Sequence, residues 1–159
     1  MKQKTLFKTS EYGSEFGGEL LKRKRKSRRP LSTKLAVHLV LGADITQSGS
    51  LLKHRGAIDK CFANFATKFD VRIYKKSLVS NHIHIVALFS SRQSYIKFIR
   101  ALTGASALKL KIKWRLRPWT RLIKWGRAFQ SIIKYVVQNH YEAVGLIAYQ
   151  PRRKRVLRI

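Results

Sequence analysis

The chain has 159 residues, 45% of them hydrophobic, and 35 Lys and Arg against 7 Asp and Glu, for a formal net charge of +28. The length suits one domain with its own core, and the apolar content excludes a disordered polar tail. A charge this large repels itself in a compact state, so composition implies a polyanionic partner, nucleic acid ahead of an acidic membrane because no run approaches about 18 apolar residues.

Residues 1–30 read as a basic, flexible arm. Its opening, MKQKTLFKTSEYGSEFGGEL, lacks the apolar stretch of a secretory signal. The run Lys22, Arg23, Lys24, Arg25, Lys26, Arg28 and Arg29, closed by Pro30, offers phosphate contacts. Leu35 to Leu41, LAVHLVL, reads as a buried strand, and Asp44 to Gly49 as a loop. Leu51, Ile58, Phe62, Phe65 and Phe69 fall at helical spacing and predict an amphipathic helix over Leu51 to Phe69. The lone Cys61 excludes an internal disulfide and fits a cytoplasmic, nucleoid-associated protein. Val71 to Val79 and His82 to Phe89 read as two further strands, and Ser91 to Leu102 as a second helix. The order β-α-β-β-α predicts an α+β fold: an antiparallel sheet with helices packed on one face, ferredoxin-like or RRM-like.

Leu108 to Arg117, LKLKIKWRLR, alternates apolar and basic residues. As a strand it would put Lys109, Lys111, Lys113, Arg115 and Arg117 on one face, either as a charged edge or as a rail for a phosphate backbone together with Arg121. Trp114, Trp119 and Trp125 could stack bases or fill the core. Ala128 to Tyr141 predicts a last helix, with Phe129, Ile132, Ile133, Val136 and His140 as its apolar stripe. A globular domain over 31–150 and a basic tail over 151–159 complete the organisation.

Few acids limit the chemistry. Glu11, Glu15 and Glu19 lie in the arm, and Asp44, Asp59, Asp70 and Glu142 are scattered. A two-metal site held by several carboxylates does not fit, and any metal must rely on neutral ligands. In SNHIHIVALF, His82 and His84 are two residues apart in a strand, so both imidazoles point to one side and can donate to one cation. Tyr135 lies off the apolar stripe of the last helix and shares its face with Asn139 and Glu142. A phenol is a poor nucleophile at neutral pH, but it can attack a phosphate that a metal polarises.

A His-hydrophobe-His strand followed some fifty residues later by Tyr-x-x-x-Asn on a helix resembles the single-tyrosine HUH transposases. The branch it is most similar to is the REP-associated tyrosine transposases. The matching pieces are GGELLKRKRKSRRPL, AVHLVLGA, SNHIHIV, RPWTRLIKWG and YVVQNHYEAVG, spread over residues 17–150. The resemblance implies an HUH endonuclease fold in which His82, His84 and Asn139, with Gln138 as the alternative, hold Mg²⁺ or Mn²⁺. It implies Tyr135 as the nucleophile that forms a 5′-phosphotyrosine with single-stranded DNA beside a hairpin, in a protein that works as a homodimer. His38 and Glu142 are candidates to support the ligands from behind, with packing the favoured reading for His38. Two features depart from the pattern: the charge exceeds what a catalytic domain needs, and His140 stands where many relatives have Pro. They define the alternative, a non-catalytic structural DNA- or RNA-binding protein on the same fold.

Overall fold

The computed structural model describes residues 15–21, 28–115 and 117–151. Lys22, Arg23, Lys24, Arg25 and Lys26 of the basic run and the tail beyond Pro151 lie outside the described residues. In chain order the elements are β1 (Glu15–Phe16), β2 (Ala36–Asp44), α1 (Ile45–Ser48), α2 (Arg55–Lys68), β3 (Val71–Leu78), β4 (His82–Phe89), α3 (Arg92–Leu110), β5 (Lys113–Trp114), β6 (Trp119–Ile123) and α4 (Arg127–Ala143). Short 3₁₀ turns fill Gly18–Leu21 and Leu51–His54. All the strand pairs are antiparallel, in the order β1-β6-β2-β4-β3, with β5 pairing the far end of β2.

Alternation along the strands divides the side chains between two layers. On one face Val37, Leu39 and Leu41 stand opposite Ala87, Ile85 and Ile83, and this face is buried against Ile58 and Phe62 of α2 and Phe98 and Leu102 of α3. Burying side chains of this size contributes about 1.5–3 kcal/mol each. The fold is therefore α+β, with α2 and α3 sharing one face of an antiparallel sheet. The opposite face carries Ala36, Val86 and Ile123, and α4 lies across it through Val136. His38, His82 and His84 belong to this second face, beneath or beside α4.

Several expectations need correction. Leu108 to Arg117 is not one strand. Helix α3 begins at an N-cap, Ser91, whose hydroxyl accepts from the Ser94 amide at 3.0 Å, and runs on to Leu110. Tyr95, Phe98, Leu102 and Ser106 recur at helical spacing on its buried side. Trp114 folds back and donates its indole N–H to Ser106 Oγ at 3.0 Å. This packing overrides the local alternation: Leu108, expected on the apolar face, is 77% exposed. Lys109 thus sits in the last turn of α3, Lys111 is its left-handed cap, and Lys113 lies on β5, with Arg115 and Arg117 beyond it. The five cations are exposed but do not form a single rail. The loop expected over Asp44 to Gly49 contains the turn of α1, capped by Asp44, whose Oδ1 accepts from the Thr46 amide at 3.2 Å.

Part of the arm belongs to the sheet. Glu15 and Phe16 pair with Arg121 and Thr120 of β6. Arg29, expected among the phosphate contacts, is instead an internal strut. Its guanidinium donates to the Phe16 carbonyl at 3.2 Å, Thr120 Oγ1 at 2.5 Å and the Pro118 carbonyl at 2.8 Å. It also lies 4.6 Å from the Phe16 ring centre, and burial pulls it below the usual arginine range. Gly17, at φ 92°, passes so close that any Cβ there would strike the Pro118 carbonyl oxygen. Arg29→Met should lower stability by about 2 kcal/mol, because two partly buried carbonyls lose a charged donor. Urea denaturation would measure this. Arg28, which is exposed, serves as the comparison: Arg28→Met should leave the midpoint unchanged.

Candidate active site

The site is built on the second face from β2, β4, β6 and α4. His82 and His84 leave β4 on the same side, and their Nε2 atoms approach to 2.9 Å. Two nitrogen ligands at right angles around a cation at about 2.1 Å are about 3.0 Å apart, so the spacing of this pair fits one metal ion. Each ring is held from its other nitrogen. Asn81 Oδ1 lies 2.6 Å from His82 Nδ1, and His38 Nε2 lies 3.1 Å from His84 Nδ1. His38 and His84 are each 4% exposed and stack at 5.3 Å. Burial pushes His38 down to about 4, helped by the neighbouring Arg121 charge, and burial also lowers His82. Both rings are neutral near pH 7, the form that can bind metal. Ser77 stands opposite His84 on β3, and its hydroxyl is buried without a hydrogen-bond partner among the described residues.

Tyr135 lies off the apolar stripe in the sequence, yet it is turned toward the sheet. Helix α4 seats Phe129, Ile132, Ile133 and Val136 on the sheet, and Tyr135 joins them, half-buried. The reason lies across the interface: the phenol meets His84 edge-on at 5.4 Å and His38 at 6.1 Å. Aromatic edge-to-face contacts of this kind favour burial. Tyr135 walls two clefts at once. One, of about 490 Å³, is also lined by His38, Val40, His84, Trp119, Arg121 and Ile132. The other, of about 320 Å³, holds Val79, His82, Asn139, Glu142, Ala143 and Tyr149.

The polar residues of α4 separate by direction. Asn139 shares the cleft of His82 and donates its amide to the Tyr135 carbonyl at 2.7 Å. Gln138 points elsewhere, to Glu142 Oε1 at 3.0 Å and Gln150 Oε1 at 3.3 Å. Glu142 also accepts from the Gln150 backbone at 3.3 Å, which fastens the segment after the helix. Among the described residues no group of three His, Cys, Asp or Glu side chains is placed to hold a metal ion. Arg121 enters the site face because β6 pairs it with His38, and its guanidinium lies 3.6 Å from Glu15.

Sequence reasoning missed Asn81 as the partner of His82, Val40 and Trp119 as walls of the larger cleft, and Tyr149 in the smaller. Asn81 stood in the quoted motif, and its oxygen next to a ligand-type histidine was a readable signal. Trp119 and Val40 required the register of β2 on β6. Of the other tryptophans, Trp114 packs on α3, while Trp125 donates to the Lys34 carbonyl at 2.8 Å and remains half exposed.

Comparison with known proteins agrees with this architecture. No curated protein sequence matches the chain. A solved structure of a REP-associated tyrosine transposase bound to a REP hairpin matches with a TM-score of 0.60 at 16% identity, over 77% of this chain and 76% of that one. A crystal structure from Deinococcus radiodurans, provisionally assigned as a transposase, gives a TM-score of 0.47 at 16% identity over 73% of this chain and 98% of that one. The family described as "Transposase IS200 like" matches residues 32–140, a span that includes β2, His82, His84, Tyr135 and Asn139. With two thirds of its length inside that match, the chain belongs to the IS200-like transposase family.

Proposed function

We propose that the protein is a metal-dependent single-stranded DNA nickase and strand transferase, acting on DNA beside a hairpin in the transposition of a mobile or repeat element. The observation that carries the reading is the meeting of Tyr135 with the His82–His84 pair: the phenol ring lies edge-on to His84, and the two Nε2 atoms are 2.9 Å apart. In the proposed step Tyr135 Oη attacks the phosphorus of a DNA phosphodiester. A tyrosine O–P bond forms, the P–O3′ bond breaks, the phenolic proton is lost, and the 3′ oxygen leaves to become a hydroxyl. A divalent cation, Mg²⁺ or Mn²⁺, would polarise the phosphate and offset charge on the leaving oxygen.

His82 and His84 would hold the cation, with Asn139 rather than Gln138 as third ligand, because Asn139 shares the cleft with His82. The amide oxygen is the atom a hard cation takes. His38 would act through His84. If His84 Nδ1–H donates to His38 Nε2, the Nε2 lone pair of His84 faces the cation, and Asn81 does the same for His82. Glu142 would brace the helix end that carries Asn139. Arg121 would meet a phosphate beside Tyr135, while exposed Arg28, Lys109, Lys111, Lys113, Arg115 and Arg117 would contact the backbone at a distance. A homodimer and a location at the nucleoid are part of the same proposal. No helix among the described residues is long and apolar enough to cross a membrane.

The net charge favours a second reading, a structural DNA or RNA binder without catalysis. The test is a pool of hairpin-flanked single-stranded DNA incubated with Mg²⁺ or Mn²⁺ and resolved on denaturing gels. A protein–DNA adduct that EDTA suppresses at least about a hundredfold is the expected result. Tight, salt-sensitive binding with no adduct under either metal would favour the second reading.

A further inference from the structure

Helices α2 and α3 cover the face of the sheet opposite His82, His84 and α4. Their outer sides are basic and take no part in the chemistry proposed above. Lys60 and Lys68 on α2 and Lys97 and Arg100 on α3 are all exposed. Lys97 and Arg100 are three residues apart, so they are neighbours on the helix surface, turned away from buried Phe98 and Leu102. Lys60 and Lys68 are eight residues apart, about 12 Å along α2.

Acids do not balance these cations. Helix α3 contains no Asp or Glu, and the one acid of α2, Asp59, is engaged by Lys76 and, at 3.9 Å, by Arg55. Among the described residues none of the four forms an ion pair. Lys60 also shares a hollow of about 220 Å³ with Lys109, lined otherwise by Ala57, Cys61, Asn64 and Leu110. Two like charges on one hollow with no acid in its walls repel, and an anion between them offsets that cost.

The same face does not offer what a single strand uses. Binders of single strands stack bases on exposed aromatic rings. Among the described residues the exposed aromatic side chains are Trp125, Tyr141 and Tyr149, on α4 or a few residues beyond its ends. The one large apolar side chain exposed on α2 or α3 is Leu108. Cations without rings suit phosphates alone, and a duplex presents phosphates while keeping its bases stacked inside.

We infer that the outer face of α2 and α3 is a docking surface for the phosphate backbone of duplex DNA, on the opposite side of the sheet from Tyr135. A duplex held there leaves the clefts at Tyr135 open to a separate strand. The inference does not depend on cleavage.

The probes are a 16-base-pair DNA duplex, an RNA duplex of the same length and single-stranded dT16, each used with the full chain without metal. Acetylation of lysines, read residue by residue by mass spectrometry, should slow at Lys60, Lys68 and Lys97 when the DNA duplex is added, and less so with dT16. Lys60→Gln, Lys97→Gln and Arg100→Gln combined should lower the slope of log K against log salt for the DNA duplex by about 3, near 0.9 for each lost phosphate contact. Lys34→Gln, Lys124→Gln and Arg127→Gln combined remove the same charge from exposed positions near the start of α4 and should leave the slope unchanged. The acetylation pattern is read on the unaltered chain, so a folding defect in a variant does not decide the outcome. Equal changes in the two variants would reduce the effect to net charge and overturn the inference. Protection of these lysines by dT16 or by the RNA duplex in place of the DNA duplex, or by none of the three, would overturn it as well.

Discussion

Replacing Tyr135 by Phe should abolish the covalent protein–DNA adduct, by at least about a thousandfold, because the attacking atom is gone. The substitution is a narrow one. The phenyl ring keeps the edge-on contacts with His84 and His38 and the packing against the buried cluster of the second face. Affinity for single-stranded DNA, measured by fluorescence anisotropy without metal, should stay within about twofold, since phosphate contacts dominate it. Tyr149 is the informative control. It lines the cleft of His82 and Asn139 and is 72% exposed. An adduct that survives Tyr135→Phe and disappears with Tyr149→Phe would move the nucleophile to Tyr149 and end the assignment made here.

Mild acid should unfold the protein unusually early. His38 titrates near 6.5 in an unfolded chain and at about 4 in the fold, because burial disfavours its charged form. Between those values the unfolded state binds a proton that the folded state does not, so stability falls as pH drops through this window and levels off below it. A gap of about 2.5 units corresponds to roughly 3 kcal/mol at full development. His82 is shifted in the same direction and adds to the loss. With only 7 acidic residues in the chain, carboxylate protonation contributes less than in an ordinary protein. Urea midpoints at pH 7, 5.5 and 4.5 would show the decline. His38→Gln, which can still bond His84, should flatten most of it. A wild-type midpoint that does not move between pH 7 and 4.5 would count against the buried, neutral His38 described above.

How much of this was legible beforehand depends on the range of the interactions involved. The His82–His84 pair was readable because a period of two is a property of the strand itself, and β4 spans His82–Phe89 as expected. The helix that carries Tyr135 was readable for the same reason. The seating of Tyr135 was not, because its partners His38 and His84 come from other elements. Lys109 and Lys111 were assigned to a strand because local alternation was strong, but the buried side of α3 is set by contacts with the sheet and with Trp114. Arg29 looked like one cation in a run of seven. Its role depends on Pro118 and Thr120, some ninety residues away, which no local pattern reveals.

Among the described residues, strand β3 ends the sheet and no strand pairs with its outer backbone. Two identical molecules could in principle join there and continue the sheet. Arg72 and Lys75 put positive charge along that margin, Lys76 being paired with Asp59, and an irregularity between Ile73 and Lys75 breaks its regular pairing. Two such edges brought together would repel and fail to match. Salt screens the repulsion but leaves the irregularity in place. Solubility at low ionic strength is therefore written into the same lysines and arginines that set the chain's charge, and it should decline first when they are neutralised.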